Sequence, residues 1–213
     1  MKIGVLGTGD VGRVLGAACV TLGHDVMIGS RDPNQQKVKD WVAKTGPRAS
    51  SGTFADAARH AEIAIVATRW DGTENALGLA GAGSLAGKVV IDATNPLDFS
   101  SMPPALAVAG TDSGGERIQR WLPAAKVVKA FNIVGNPHMF RPDFPGGPPD
   151  MVICGNDAGA KQAVTRLLSE FGWPAIDLGG IESSRYLEAL AMIWILEYFN
   201  TRSGNHAFKL LRK

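Results

Sequence analysis

Lys2-Ile-Gly-Val-Leu6 is followed directly by Gly7-Thr-Gly-Asp-Val-Gly12, so that a short apolar run enters a GxGxxG turn. An apolar pattern with helical spacing then covers residues 13–22. This order of strand, glycine turn and helix is typical of a dinucleotide site, whereas the glycines alone would also suit a plain turn. We expect Gly7 to make the tight turn, Gly9 to admit a pyrophosphate, and Gly12 to let the helix pack closely on the strand. The phosphates would meet free backbone N–H groups and the positive end of the helix dipole.

The end of the second predicted strand carries the signal for the choice of coenzyme. Residues 26–28 are apolar and lead into Gly29-Ser-Arg31. NAD enzymes usually place an acidic residue here to bind the ribose hydroxyls, and this chain has Ser30 and Arg31 instead. Because a guanidinium offers a planar fork of donors to phosphate oxygens, these residues favour NADP over NAD. Asp32 comes next, and we assign it to the start of the following helix.

The rest of the chain alternates strands and helices. Strands are predicted at residues 2–6, 26–28, within 46–52, at 62–67, 88–93, 126–131, 150–154 and 174–178. Helices are predicted between them, at 13–22, 35–44, 55–58 with Thr53 as N-cap, 72–80, 158–171 and 184–199. Buried two-sided strands separated by helices are typical of parallel sheets. The pattern predicts an α/β fold, a Rossmann-type doubly wound, mostly parallel sheet of about eight strands with a short C-terminal helical extension.

Length and composition limit the classes of protein. The 213 residues predict a single domain, 1–213, in which 181–213 form a C-terminal helix and tail. A net charge of +2 without a run of Lys and Arg argues against a nucleic-acid partner. The chain starts with a strand, and its late apolar run, residues 186–199, is too short to cross a bilayer. We therefore expect a cytoplasmic protein with no membrane partner, in which Cys19 and Cys154 are buried free thiols.

Three strand ends offer the polar groups from which a substrate site could be built. They are Thr68-Arg-Trp-Asp71, Thr94-Asn-Pro-Leu97 and Asn132 with the residues that follow it. Open α/β sheets bind ligands at this edge. Only 33 residues follow Gly180, too few for a separate helical substrate domain. We expect the substrate at the carboxyl edge of the sheet, and the extension 181–213 either to cover that site or to form a dimer interface.

The sequence resembles the coenzyme F420-dependent NADP oxidoreductases and their bacterial NADP-binding relatives over essentially its full length. The resemblance rests on GTGDVG, Gly29-Ser-Arg31, Thr68-Arg-Trp70, residues 151–157 (MVICGND), and the segment from Ser184-Arg185 to the end. The ferric-reductase domains of a mammalian membrane family are similar at a greater distance.

The resemblance implies direct hydride transfer between nicotinamide and a deazaflavin stacked beside it, in a site that orients two rings. It implies that the adenosine and phosphates bind to Thr8, Asp10, Val11, Ser30 and Arg31. It also implies that the nicotinamide end is lined by Thr68, Arg69, Trp70, Ala130 and Asn132. No catalytic side chain and no metal ligand is assigned, because the chain lacks a Ser/His/Asp set, a Tyr-x-x-x-Lys motif and metal-like His/Cys spacing.

Several choices stay open at the level of sequence. The chain departs from the F420 enzymes around residues 94–97 and at Arg69 and Asn132, so the acceptor is F420, a flavin, a quinone, or a small carbonyl or imine. A non-catalytic NADP(H) sensor or scaffold is the alternative function. His138 is the most attractive acid–base candidate, with a surface-loop histidine as its other interpretation. The apolar helix from Tyr186 to Phe199 predicts a homodimer.

Overall fold

A computed structural model describes residues 1–213, and its strands form one large and one small sheet. The strands are β1 (Lys2–Leu6), β2 (Asp25–Ser30), β3 (Ala49–Thr53), β4 (Ile63–Val66), β5 (Val89–Asp92), β6 (Leu97–Asp98), β7 (Ala105–Leu106), β8 (Lys126–Lys129), β9 (Met151–Gly155) and β10 (Ala175–Asp177). The large sheet has the order β3-β2-β1-β4-β5-β8-β9-β10, and β6 pairs with β7 in a two-stranded sheet. The α/β class and the mostly parallel eight-stranded sheet are confirmed.

Eight α-helices connect and cover the strands. They are α1 (Asp10–Thr21), α2 (Gln36–Thr45), α3 (Phe54–His60), α4 (Trp70–Ala80), α5 (Ala82–Leu85), α6 (Gly114–Trp121), α7 (Ala158–Phe171) and α8 (Ser184–Thr201). The predicted cap of α3 is present, since the Thr53 hydroxyl accepts from Asp56 N and the Asp56 carboxylate accepts from Thr53 N. Helix α6 and the β6–β7 hairpin were not predicted. None of the helices combines the length and apolar content that crossing a membrane requires.

The core consists of two layers, one on each face of the large sheet. Along β4, Ile63 and Ile65 belong to the layer under α1, α2 and α7, and Ala64 and Val66 belong to the layer under α3, α4 and α6. Successive side chains of a strand point to opposite faces, so a strand covered on both sides must be apolar throughout. This is why the inner strands could be identified from short apolar runs.

The direction of the chain reverses at β9. Strands β1 to β5 and β8 are parallel in the large sheet, whereas β9 is antiparallel to β8 and parallel to β10. Residues 130–150 contain no α-helix, only the short 3₁₀ turn Asn136–His138. A parallel crossover needs a long connection over the face of the sheet, usually a helix, and this segment returns along the carboxyl edge instead. The carboxyl ends of β1, β2, β4, β5 and β8 therefore share one edge, and those of β9 and β10 lie at the other.

Candidate functional site

A cleft of about 870 Å³ follows the carboxyl edge of the large sheet. The sheet order sets its direction, because the ends of β2, β1, β4 and β5 come one after another along it. Most of the predicted site residues line it: Gly7, Thr8, Gly9, Asp10, Val11, Ser30, Arg31, Thr68, Arg69 and Trp70. Gly12, Ala130 and Asn132 are not among the lining residues. The cleft is thus long, with one end at Ser30 and the other beyond Thr94.

The three glycines of the β1–α1 turn differ in their surroundings. Gly7 has φ +131°, and a Cβ there would lie 2.3 Å from the Ala67 carbonyl oxygen. A Cβ on Gly12 would lie 2.3 Å from the Gly7 carbonyl oxygen, so this glycine allows α1 to approach β1. Gly9 has an ordinary φ of −71°, and a Cβ there would meet nothing within 4 Å. Since the protein itself does not require a glycine at position 9, its absent side chain keeps the cleft open at the helix N-terminus.

The N-terminus of α1 opens into the middle of the cleft. Gly9 is its N-cap, and no side chain accepts a hydrogen bond from the free N–H groups of its first turn. Asp10, the acidic residue of that turn, forms an ion pair with Arg13. Free N–H groups at the positive end of a helix dipole form a ready site for an anion such as a diphosphate.

The end of the cleft at β2 is rich in cations. Ser30 Oγ is buried and has no hydrogen-bond partner within the protein, which is costly unless a ligand supplies one. Arg31, Gln35 and Lys37 line the cleft beside it, and neither cation takes part in an ion pair within 4.0 Å. Asp32 does not line the cleft, and its carboxylate accepts from Asn34 N at 2.9 Å. Lys37 was not predicted as a site residue, although it lies in the first turn of α2, the helix that follows the end of β2, and this position could have indicated it.

The opposite end of the cleft is more aromatic. Trp70 stacks on Trp121 with ring centroids 5.6 Å apart, so it both lines the cleft and packs against the core. The Arg69 guanidinium lies 5.2 Å from the centre of the Phe99 ring and 3.2 Å from Asp71. Asn95, Leu97 and Phe99 complete this end. Phe99 lies in the β6–β7 hairpin, which no pattern in the sequence predicted.

Asn132 contacts the cleft indirectly, through Asn95. The Asn132 amide nitrogen donates to Asn95 Oδ1 and to the Leu187 carbonyl, both at 3.0 Å. The Asn95 amide nitrogen donates to the Asn132 carbonyl at 2.7 Å. Ala130 is fully buried behind the same wall. Asn132 and Ala130 therefore support the lining rather than form it. Asn95, the hydrogen-bond partner of Asn132, is the residue that reaches the cleft.

Asp92, Lys129 and Glu188 form a buried ion cluster behind the wall of the cleft. Lys129 Nζ lies 2.7 Å from Asp92 Oδ2 and 2.9 Å from Glu188 Oε1, and the three side chains are at most 1% exposed. Lys129 Nζ also donates to the Thr94 carbonyl at 2.9 Å. Burial by itself would lower the pKa of Lys129, but the two carboxylates raise it overall, so the amine stays protonated at neutral pH. The cluster joins β5, β8 and α8 to a residue that lines the cleft.

The remaining candidates lie outside the cleft. His138 Nε2 is 3.1 Å from Asn205 Oδ1, its ring packs on Phe144, and it does not line the cleft. None of the residues 181–213 lines the cleft either. Cys19 and Cys154 are buried free thiols, as expected. No group of three or more His, Cys, Asp or Glu side chains is placed to hold a metal ion.

Comparisons with known proteins show which family this chain resembles. The family model for NADP oxidoreductases that are coenzyme F420-dependent matches residues 2–96. The F420-dependent NADP reductase of Methanothermobacter marburgensis is 32% identical, over 99% of this chain and 98% of that protein. A crystal structure from Arthrobacter sp. FB24, provisionally named an F420-dependent NADP-reductase, is 42% identical over 100% of both chains with a TM-score of 0.94. Metalloreductase STEAP3 of Rattus norvegicus is 30% identical over 90% of this chain, which spans only 36% of that protein's length.

Proposed function

Because the chain belongs to the family of F420-dependent NADP reductases, we propose that this NADP-dependent oxidoreductase transfers a hydride directly between nicotinamide and an organic acceptor. The acceptor is flavin-like, F420 or a flavin, or a small organic molecule. The nicotinamide supplies the hydride chemistry when it is bound, and the protein supplies proximity and orientation.

The observation that carries the proposal is the cationic end of the cleft. Ser30 Oγ is buried there without a partner, and Arg31 and Lys37, free of ion pairs, stand beside it. A hydroxyl and two cations fit the 2′-phosphate that distinguishes NADP from NAD. The diphosphate would then bind at the free N–H groups of α1, above Gly9. By the order of the strands, this orientation directs the nicotinamide toward Thr68 and Thr94.

The aromatic end of the cleft supports direct transfer. Its lining contains no His, Lys, Cys or Tyr side chain, and its one carboxylate, Asp71, is paired with Arg69. Direct hydride transfer to a planar acceptor needs no proton-transfer group, because the protein has only to hold two rings face to face and exclude water. Trp70 and Phe99 provide flat apolar walls for this, and the Arg69 guanidinium, which is paired with Asp71, lies over the Phe99 ring.

The coenzyme preference is tested by substituting the two cations. We expect Arg31→Ala and Lys37→Ala each to weaken NADPH binding about tenfold or more, since a charge-assisted hydrogen bond contributes about 1.5–3 kcal/mol. The affinity for NADH should change by less than about twofold. Lys39→Ala is the matched control, because Lys39 is exposed on the same helix and does not line the cleft. Equal losses for both nucleotides, measured by calorimetry, would contradict selection by the 2′-phosphate.

The acceptor is tested by following NADPH oxidation with F420, FMN, FAD, quinones, aldehydes and imines. Turnover with one class assigns it. The alternative, a non-catalytic NADP(H) sensor or scaffold, rests on the same lack of a proton-transfer group. Tight NADPH binding without turnover on any acceptor would favour the sensor.

We also propose that the protein acts as a homodimer through α8. Tyr186, Ile193, Leu196 and Tyr198 are exposed on this helix, and Ile193 is 58% exposed. An apolar surface of this kind on one helix is typical of an interface between subunits. Static light scattering should give twice the monomer mass, and the monomer mass at micromolar concentration would refute the proposal.

A further inference from the structure

The buried ion cluster carries an excess negative charge. Asp92 accepts from Thr94 N at 2.9 Å, from Thr94 Oγ1 at 2.7 Å and from Lys129. Glu188 accepts from Lys129 and from Gly114 N and Gly115 N, both at 3.0 Å. Every hydrogen bond and ion pair that these two carboxylates form is therefore with a donor. Two carboxylates and one ammonium leave a formal charge of −1.

This charge is close to the cleft and poorly screened. Thr94 lines the cleft, and its N–H and hydroxyl donate to Asp92 while its carbonyl accepts from Lys129. The three side chains are buried, so neither water nor salt weakens their field as it does for surface charges. The other charges at this end, Arg69 and Asp71, are exposed and 3.2 Å apart, so their fields largely cancel.

The helix dipole of α6 offsets only part of the charge. Gly114 and Gly115 begin α6, and their N–H groups donate to Glu188. A helix N-terminus is equivalent to about half a positive charge. A net negative field therefore remains behind Thr94, at the end of the cleft assigned to the nicotinamide.

We propose that the buried ion cluster is a specificity element for the redox state of the coenzyme: its negative charge favours the oxidised nicotinamide, which is cationic, over the reduced ring, which is neutral. This inference rests on the proposed function, because it requires the nicotinamide to bind at the Thr94 end. Asp92, Lys129 and Glu188 do not touch the coenzyme and act through their field across Thr94.

The test compares three ligands on charge-neutralising variants. Glu188→Gln and Asp92→Asn each remove one negative charge with little change in volume. We expect the ratio of the dissociation constants of NADP⁺ and NADPH to rise by about threefold or more in each variant. The affinity for 2′,5′-ADP, which lacks the nicotinamide, should not change. Glu116→Gln is the matched control, since Glu116 joins α6 to α8 through Arg185 and lies outside both the cluster and the cleft.

Each result has a distinct meaning. An unchanged ratio in variants that still bind 2′,5′-ADP overturns the proposal and leaves the proposed function standing. Failure of the unmodified protein to bind any of the three ligands refutes the proposed function, and the inference falls with it. If neither variant folds, the unmodified protein decides: NADP⁺ should bind at least as tightly as NADPH, and a preference for NADPH greater than about tenfold overturns the proposal.

Discussion

The glycine turn allows stability and binding to be separated by two single substitutions. A Cβ on Gly12 would lie 2.3 Å from the Gly7 carbonyl oxygen, a backbone atom that cannot rotate away. Overpacking of this kind costs up to about 3 kcal/mol. Alanine gains about 1 kcal/mol over glycine inside a helix. Gly12→Ala should therefore destabilise the protein by about 2 kcal/mol, which corresponds to about 4–8 °C in melting temperature for a chain of this length.

Gly9→Ala should leave the stability of the fold almost unchanged and weaken NADPH binding. Its backbone conformation suits any residue, and a Cβ there meets nothing within 4 Å. The poorer capping by alanine and the smaller entropy of the unfolded chain nearly cancel, leaving stability within about 0.5 kcal/mol. The new methyl group would stand in the cleft at the N-terminus of α1. There it should weaken NADPH binding about tenfold or more, because hydrogen bonds from the free N–H groups to a diphosphate are lost.

The assays are urea denaturation and calorimetric titration with NADPH on the same preparations. Gly83→Ala serves as the control, since that glycine also faces open space but does not line the cleft. Separate roles for the two glycines are refuted if Gly9→Ala unfolds as readily as Gly12→Ala, or if Gly9→Ala binds NADPH like the unmodified protein.

Three further predictions concern the buried and paired groups. Lys129→Met should destabilise the fold by about 3–5 kcal/mol in urea denaturation, because it leaves two buried carboxylates without their cation. The hydrogen bond from Arg185 lowers the pKa of Glu116, so Glu116→Gln should cost about 1 kcal/mol at pH 7. That cost should shrink as the pH falls toward the lowered pKa and Glu116 becomes protonated, and a cost that does not decrease with falling pH in denaturation curves would contradict this assignment. Burial raises the thiol pKa of Cys19 to about 12 and of Cys154 to about 11, so neither should react with a disulfide reagent at pH 8 until the protein is unfolded.

The parts of the fold that could be predicted are those whose cause is local. Strand β4 is apolar along its whole length because helices cover both faces, and the β1–α1 turn needs glycines for reasons found within residues 5–12 and at Ala67. The Arg31 prediction depends only on its distance from that turn. The reversal at β9 has no such signal, because Met151–Gly155 is apolar in either direction. Its direction depends on the connection from β8, whose path is a tertiary property.

Helix α6 was missed because its cause lies far along the chain. Its first residues are Gly114 and Gly115, a pair more typical of a loop. A Cβ on Gly115 would lie 2.2 Å from Ser184 Oγ, and one on Gly114 would lie 3.1 Å from both Glu188 and Trp70. The glycines are therefore required by the packing of α8 on α6, which no local pattern contains. The Trp70 side of the cleft depends on the same packing, because Gly114 also lies against the Trp70 ring.

One part of the buried ion cluster, the pair of Asp92 and Lys129, could be predicted from the sequence, whereas the addition of Glu188 could not. Strands β5 and β8 end in Asp92 and Lys129, which are neighbours in the parallel register, so opposite charges meet at the ends of two adjacent strands. Two apolar strands that each finish in a charge of opposite sign predict a buried pair, since an unpaired buried charge is too costly. Glu188 joins only because α8 docks on α6, and its charge is the one that makes the sum negative. Glu188, 59 residues beyond Lys129 in sequence, thus determines the net charge behind Thr94, and if the proposed role of the cluster holds, substitutions of Glu188 should alter the preference between NADP⁺ and NADPH without reaching the cleft.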